Sequence, residues 1–207
     1  MLDLIISRDG QRKYLSSSEV RHFISVASEF EPDTLTLCWT LSATGCRISE
    51  ALSLTPRSID RTERMITIES LKKRRRGVYR SVPVPAELID LLVEVHHLNR
   101  PIRQSEAAAL LWPISRMTAY RRVRRVMDRA GLSGLHAMPK GLRHGFGVAA
   151  IQTQVPLNLV QRWLGHADMR TTAIYAAATG PEERSIALRM WRKTMPTPPD
   201  APSRAGD

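Results

Sequence analysis

Cysteine is almost missing from this chain: Cys38 and Cys46 are the only two among 207 residues. Both lie in apolar helical sequence, outside any metal-ligand spacing or disulfide framework, which excludes a stapled secreted scaffold and a cysteine-based zinc module. A reducing cytosol is the compartment this usage implies. Long apolar runs are absent as well. No stretch approaches the roughly 20 residues that cross a bilayer, and the N-terminus lacks the basic start, apolar run and cleavage site of a signal peptide. The expectation is a soluble, unprocessed, cytoplasmic protein with no membrane partner. Acidic residues are the third shortage, 20 against 31 lysines and arginines, which leaves a formal net charge of +11 and a pI near 10.6. Such a field attracts phosphates across several water layers. Nucleic acid is therefore the first candidate partner, with a merely basic soluble protein as the competing reading.

What is present suffices for one folded domain with tails: 43% of the residues are hydrophobic, and the length is short of two ordinary domains. Residues 1–13 read as an N-terminal segment, 14–193 as the domain and 194–207 as a tail. Ser16-Ser17-Ser18-Glu19 has capping-box spacing, and Val20, Phe23, Ile24 and Ala27 follow at helical intervals. A second apolar helix runs from about Asp33 to Ala43 and stops at Gly45, after which Arg47 to Leu52 starts another helical turn. Residues 64–71 and 78–84 alternate and are β-branched, which predicts a hairpin around a basic loop. Further helices are expected at about 86–98, 115–130, 140–153, 157–164 and 168–177, with another after Pro181. The fold class is mainly α with a small antiparallel β-hairpin or sheet. From Met195 the chain reads Pro-Thr-Pro-Pro-Asp-Ala-Pro, too poor in apolar surface to offset the entropy of ordering it.

Four separated motifs stand in order: Ala43-Thr44-Gly45-Cys46-Arg47-Ile48-Ser49-Glu50-Ala51-Leu52, Pro139-Lys140-Gly141-Leu142-Arg143-His144-Gly145-Phe146, Trp163-Leu164-Gly165-His166, and Thr171-Thr172-Ala173-Ile174-Tyr175. Each alone is weak evidence; the ordered set is specific. Together they resemble the tyrosine recombinases, the phage integrase family, over roughly Tyr14 to Trp191. The resemblance implies the catalytic-domain fold of those DNA breaking and rejoining enzymes. It also implies Tyr175 as a nucleophile that leaves a covalent 3′-phosphotyrosyl link, without metal or other cofactor.

The residue types suit that chemistry. Displacement at a phosphodiester gathers negative charge on the nonbridging oxygens, and fixed cationic donors aimed at that charge lower the barrier. Arg47 and Arg143 fit, because a guanidinium stays protonated and its planar fork matches two phosphate oxygens. A phenol of pKa roughly 10 needs a proton acceptor or a strongly positive site to react as phenolate. His166 can hydrogen-bond the phosphate or assist that proton transfer. In the resembling family a hairpin lysine protonates the leaving 5′ oxygen. Lys72 is assigned here, with Lys73 as the alternative in the same basic loop. Lys140 stands where the family's second arginine motif usually has histidine; related type IB topoisomerases carry lysine there, and it remains a phosphate clamp. Glu50, three residues after Arg47, either holds that guanidinium or makes an ordinary surface ion pair. His136 and His144 read as structural or backbone-contacting, and His22, His96 and His97 carry no signal.

Residues 115–129 combine Met117, Tyr120, Val123 and Met127 at helical spacing, expected to face a core, with five arginines between 116 and 125. Such a helix fits a major groove, and in the resembling family the corresponding helix enters it. Arg116, Arg121, Arg122 and Arg125 are expected on DNA, as are Lys73, Arg74 and Arg75 of the hairpin loop. No separate N-terminal clamp domain is expected before the motifs, an organisation that would resemble the short recombinases that invert fimbrial promoter segments. Double-stranded DNA is the expected partner. The chain is expected to be a homo-tetramer on it and a monomer or weak oligomer when free, with an accessory DNA-binding protein as a further partner. The alternatives are relaxation of the type IB topoisomerase kind and a noncatalytic DNA-binding regulator.

Overall fold

The computed structural model describes residues 5–71, 77–99, 107–177 and 181–194. Lys72, Lys73, Arg74 and Arg75 lie outside these residues, as does the tail from Met195.

Helix α1 (Ser17–Ala27) begins where the capping box predicts: the Ser16 hydroxyl accepts the Glu19 N–H at 3.3 Å, and Glu19 accepts the Ser16 N–H at 2.8 Å. Arg12 donates twice to the same carboxylate, at 2.8 and 2.6 Å, and so ties the preceding segment to the helix. Helix α2 (Pro32–Thr44) opens on proline, whose missing N–H is no loss in a first turn. It closes on Gly45, whose φ of 60° is cheap only for glycine. Arg47 then caps the short α3 (Ile48–Ala51).

Strands β1 (Ile59–Asp60), β2 (Met65–Glu69) and β3 (Tyr79–Pro83) form an antiparallel sheet in sequence order. The β2–β3 hairpin is the predicted one. The two-residue β1 is an addition, too short for alternation to reveal. Ile66 pairs with Val82 and Ile68 with Arg80, and all four are buried. Strand parity thus drives an arginine into an apolar row.

Helix α4 (Ala86–Val95) ends short of the expected 98, because His97 turns the chain at a φ of 54°. Helices α5 (Arg116–Arg129), α6 (Pro139–Gln152) and α7 (Leu157–Leu164) fall within about a residue of their predicted bounds. The segment expected as one helix over 168–177 is instead α8 (Met169–Ala173) followed by a 3-10 turn (Ile174–Ala177). Its β-branched Thr171, Thr172 and Ile174 disfavour a longer α-helix. Helix α9 (Pro181–Thr194) belongs to a compact unit of its own, distinct from the body that ends at Ala177.

Within the body, α2 is the central helix and packs against α1, α4, α5 and α6. Phe23, Leu37, Leu41, Trp112, Val123 and Leu142 share one core, and the buried Trp112 indole N–H is satisfied by the Asp33 carbonyl at 2.9 Å. The expected core face of α5 needs correction. Met117 is 55% and Tyr120 37% exposed, whereas Ala119, Val123, Val126 and Met127 are buried. These four have the i, i+4, i+7, i+8 spacing of a packed stripe, so small Ala119, and not bulky Tyr120, starts the face.

Two glycines in α6, Gly141 and Gly145, lie one turn apart beneath the backbone of Leu15, which donates its N–H to the Gly141 carbonyl at 3.2 Å. A Cβ at Gly145 would sit 2.5 Å from the Leu15 carbonyl oxygen. Alanine for glycine in mid-helix ordinarily gains about 1 kcal/mol. Here the close approach reverses the sign: Gly145→Ala is expected to destabilise by about 1–3 kcal/mol. Urea unfolding measures this, and a midpoint at or above that of the parent protein refutes the packing argument.

Candidate active site

Both α2 and α7 stop on left-handed glycines, Gly45 and Gly165. Helix C-termini present carbonyls without intrahelical partners and carry partial negative charge. Arg143 of α6 reaches both ends, donating from Nη1 to the Gly45 carbonyl and from Nη2 to the Leu164 carbonyl, each at 2.7 Å. Among the described residues its guanidinium makes no other hydrogen bond. Burial, followed by the neighbouring Arg47 charge, pulls Arg143 down to about 10, still protonated at neutral pH.

The second arginine is held by an acid. Glu50 accepts the Arg47 backbone N–H at 2.9 Å and its Nη1 at 2.8 Å. Glu50 is fully buried and also accepts Arg80 Nη2 at 2.6 Å. Arg80 goes on to the Trp163 carbonyl at 2.7 Å and the Ser70 hydroxyl at 3.0 Å. Of the two readings of Glu50, the buried holder is the one observed. Burial alone would raise its pKa, but the hydrogen bond and charge of Arg80, with those of Arg47, outweigh it and hold the carboxyl below the usual range.

Tyr175 closes the group. It is 2% exposed; its hydroxyl lies 3.1 Å from His144 Nδ1, and its ring runs nearly parallel to that of His166, 13° apart with centroids at 6.1 Å. The ring lies on bare Gly147, where a Cβ would come within 2.7 Å of it. His166 Nδ1 is fixed by the Thr172 hydroxyl at 3.0 Å. Burial raises the Tyr175 hydroxyl above its ordinary pKa, opposed by Arg143 and Arg47. Burial and then the charges of Arg143 and Arg47 depress His166 to about 3. Burial and then Lys140 and Arg143 depress His144 to about 4. Both imidazoles are therefore neutral at pH 7 in the free protein.

A cleft of about 570 Å³ opens in front of this cluster, lined by Arg47, Arg116, Tyr120, Lys140, Arg143 and His144 among others. Cys46 also borders it, but burial pushes that thiol up to about 11, which leaves no thiolate. A smaller cleft of about 180 Å³ lies beside His166, between the hairpin stem at Ser70, Val78 and Arg80 and the helix carrying Asn158 and Arg162. Tyr175 lines neither. Among the described residues no three His, Cys, Asp or Glu side chains converge as a metal-ligand set, and no helix is long and apolar enough to cross a membrane.

The structure thus brings Arg47, Lys140 and Arg143 to one cleft, with His166 and Tyr175 behind it, and Lys72 outside the described residues. Of the arginines expected on DNA, Arg116 borders the cleft. Arg121 and Arg125 are exposed, and Arg122 pairs with Asp33 at 2.5 Å. Sequence reasoning missed Arg80 and set aside His144. A signal existed for each. Arg80 is in phase with Val82 and Val84 along an inward strand face, and His144 lies three residues before Gly147 on the helix face that carries the Tyr175 ring.

Comparison with known proteins places this fold in one class. The profile of the phage integrase family matches residues 13–181, and the chain belongs to that family. Tyrosine recombinase XerD of Brucella abortus is 33% identical over 143 residues, 66% of this chain and 45% of that protein. Tyrosine recombinase XerA of Pyrococcus furiosus is 27% identical over 173 residues, 81% of this chain and 58% of that protein. The chain spans about half the length of these curated relatives. The XerH site-specific recombinase in a post-cleavage complex with a palindromic difH substrate superposes with a TM-score of 0.70 at 26% identity, over 87% of this chain and 53% of that one. The catalytic domain of bacteriophage HP1 integrase shares the fold, with a TM-score of 0.60 at 20% identity over 89% of this chain and 98% of that domain. The mainly helical class with a small antiparallel sheet is therefore that of tyrosine recombinase catalytic domains.

Two outcomes test the electrostatics. Glu50→Ala leaves Arg80 buried without its anion and is expected to destabilise the domain by about 3–5 kcal/mol, read by urea unfolding; a loss below about 1 kcal/mol contradicts the buried network. The second concerns pH. Folded His144 and His166 stay neutral down to about 4 and about 3, whereas in the unfolded chain they protonate near the usual value of roughly 6.5. The unfolded state then binds more protons in that window, so stability falls as pH drops from 7 towards 4.5. Tm should decline over this range, and decline less steeply in the His144→Gln, His166→Gln double variant; equal slopes overturn the assignment.

Proposed function

We propose that this chain is the catalytic part of a site-specific DNA recombinase. The observation that carries the proposal is the placing of Arg47 and Arg143 on one cationic cleft, with the stacked rings of His166 and Tyr175 packed behind them. Arg47 and Arg143 clamp the nonbridging oxygens of the scissile phosphate, and their held geometry means little reorganisation as charge develops. Lys140 adds a third cation on the same cleft. Tyr175 Oη attacks phosphorus, the bond to the 5′ oxygen breaks, and a 3′-phosphotyrosyl link stores its energy for religation. The leaving oxygen takes a proton from Lys72, with Lys73 as the alternative. The hairpin stem at Ser70 and Val78 borders the small cleft that His166 also lines, which supports delivery of a loop lysine to this side of the site.

Because Tyr175 is buried and lines neither cleft, attack requires that the 3-10 turn carrying it shift and the His144 bond break. A bound phosphate favours this step: its charge offsets Arg47, Arg143 and Lys140, raises both imidazole pKa values and gives the phenol proton an acceptor. Strand exchange then proceeds in a homo-tetramer on double-stranded DNA, formed from monomers or weak oligomers and assisted by an accessory DNA-binding protein. We place the reaction in the cytoplasm, where Cys38 and Cys46 stay reduced; both are free and buried. The names and DNA complexes of the relatives favour exchange over simple relaxation or DNA binding without cleavage.

A nicked suicide duplex carrying the cognate site tests the chemistry. The parent protein should form a covalent complex on denaturing gels, Tyr175→Phe none, and Arg47→Ala or Arg143→Ala complexes about 10²–10³ times more slowly. Absence of a covalent band from the parent protein, or its persistence in Tyr175→Phe, refutes the assignment.

A further inference from the structure

We infer that Met117 and Tyr120 are specificity-determining residues that read thymine methyl groups in the DNA next to the cleavage position, an inference that rests on the recombinase reading above. The first turns of α5 expose a methionine and a tyrosine, 55% and 37% accessible, in a helix whose core stripe is already complete without them. Met117, Tyr120, Arg121 and Arg124 follow the i, i+3, i+4, i+7 spacing of a single helix face. The cations of α5 divide in two. Arg122 is tied to Asp33, Arg129 to Glu29, and Arg124 to Asp128 and the Ala137 carbonyl. Arg116, Arg121 and Arg125 make no ion pair among the described residues, and all three are exposed. The exposed apolar tips therefore stand among the helix's unpaired cations, a combination suited to a polyanion that also offers apolar atoms.

Position supplies the rest. Arg116 and Tyr120 border the same cleft as Arg47 and Arg143, so a duplex with a phosphate seated there runs its neighbouring groove along the first turns of α5. The N-terminus of α5 is fixed for this, since the Ser115 hydroxyl accepts the Thr118 N–H at 3.0 Å. A helix with its side chains measures about 10–12 Å across, which matches a major groove about 12 Å wide. Of the base edges in that groove, only thymine presents an apolar group, its C5 methyl. Unpaired arginines meet phosphates or guanine there. The flexible thioether of Met117 and the ring of Tyr120 gain by burying a methyl, and lose against a bare polar edge.

Replacement of thymidine by deoxyuridine removes that methyl and nothing else. A site is first selected from a random duplex library by the parent protein at fixed salt. Each thymidine flanking the cleavage position is then exchanged singly for deoxyuridine, and dissociation constants are compared by fluorescence anisotropy. One or two exchanges should weaken binding by the parent about three- to fivefold, the worth of one buried methyl. In Met117→Ala or Tyr120→Ala that penalty should vanish at the matching position. Indifference of the parent to every exchange, or full retention of the penalty in both variants, overturns the inference. Failure of the recombinase reading looks different: no preferred sequence is selected, or no covalent complex forms on it. Selective binding and cleavage without a methyl effect sinks this inference alone.

Discussion

A buried carboxylate governs the architecture of the site. Glu50 is a single anion between Arg47 and Arg80, placed where burial would otherwise keep it neutral. Three guanidinium groups crowd into one small region only because their charges are answered from within the protein. Glu50 answers two of them, and the carbonyl ends of α2 and α7 answer Arg143. The arrangement leaves the cleft with a net positive field whose Arg47 and Arg143 are held in place. A phosphate entering it finds donors already held by shorter-range bonds to the protein, which is the condition under which fixed charges act efficiently on a reaction.

The same bonds join elements distant in sequence. Arg80 links the hairpin to the end of α7 and to Glu50; Arg143 links α6 to the ends of α2 and α7. The helix framework is apolar and ordinary. Its junctions around the site are polar, buried and mutually dependent, so the site is part of how the domain holds together and not a late addition to a finished fold.

Much of this was legible in the sequence because it is local. The Ser16 cap, the Gly45 and Gly165 stops and the alternating hairpin each follow from a few neighbouring residues, and the four motifs follow from residue type and order. What escaped depended on register and rotation. Arg80 looks like another cation beside a basic loop until strand pairing turns it inward with Val82. His144 looks like a bystander to Arg143 until the 3-10 turn brings the Tyr175 hydroxyl to it. Met117 and Tyr120 match a helical period, yet tertiary packing rotates α5 so that Ala119 takes the core. Periodicity fixes which residues share a face, not which face is buried.

Arg143 has a double tenancy with a consequence for decay. It closes two helix ends at the same time as it faces the cleft, whereas the hydroxyl of Tyr175 makes a single bond to one histidine. Under the proposed function, a lineage that abandoned strand cleavage could shed that hydroxyl and keep a folded protein, but loss of Arg143 would unfasten the junction. Retired descendants of such a domain should therefore be recognisable by an intact arginine beside a phenylalanine.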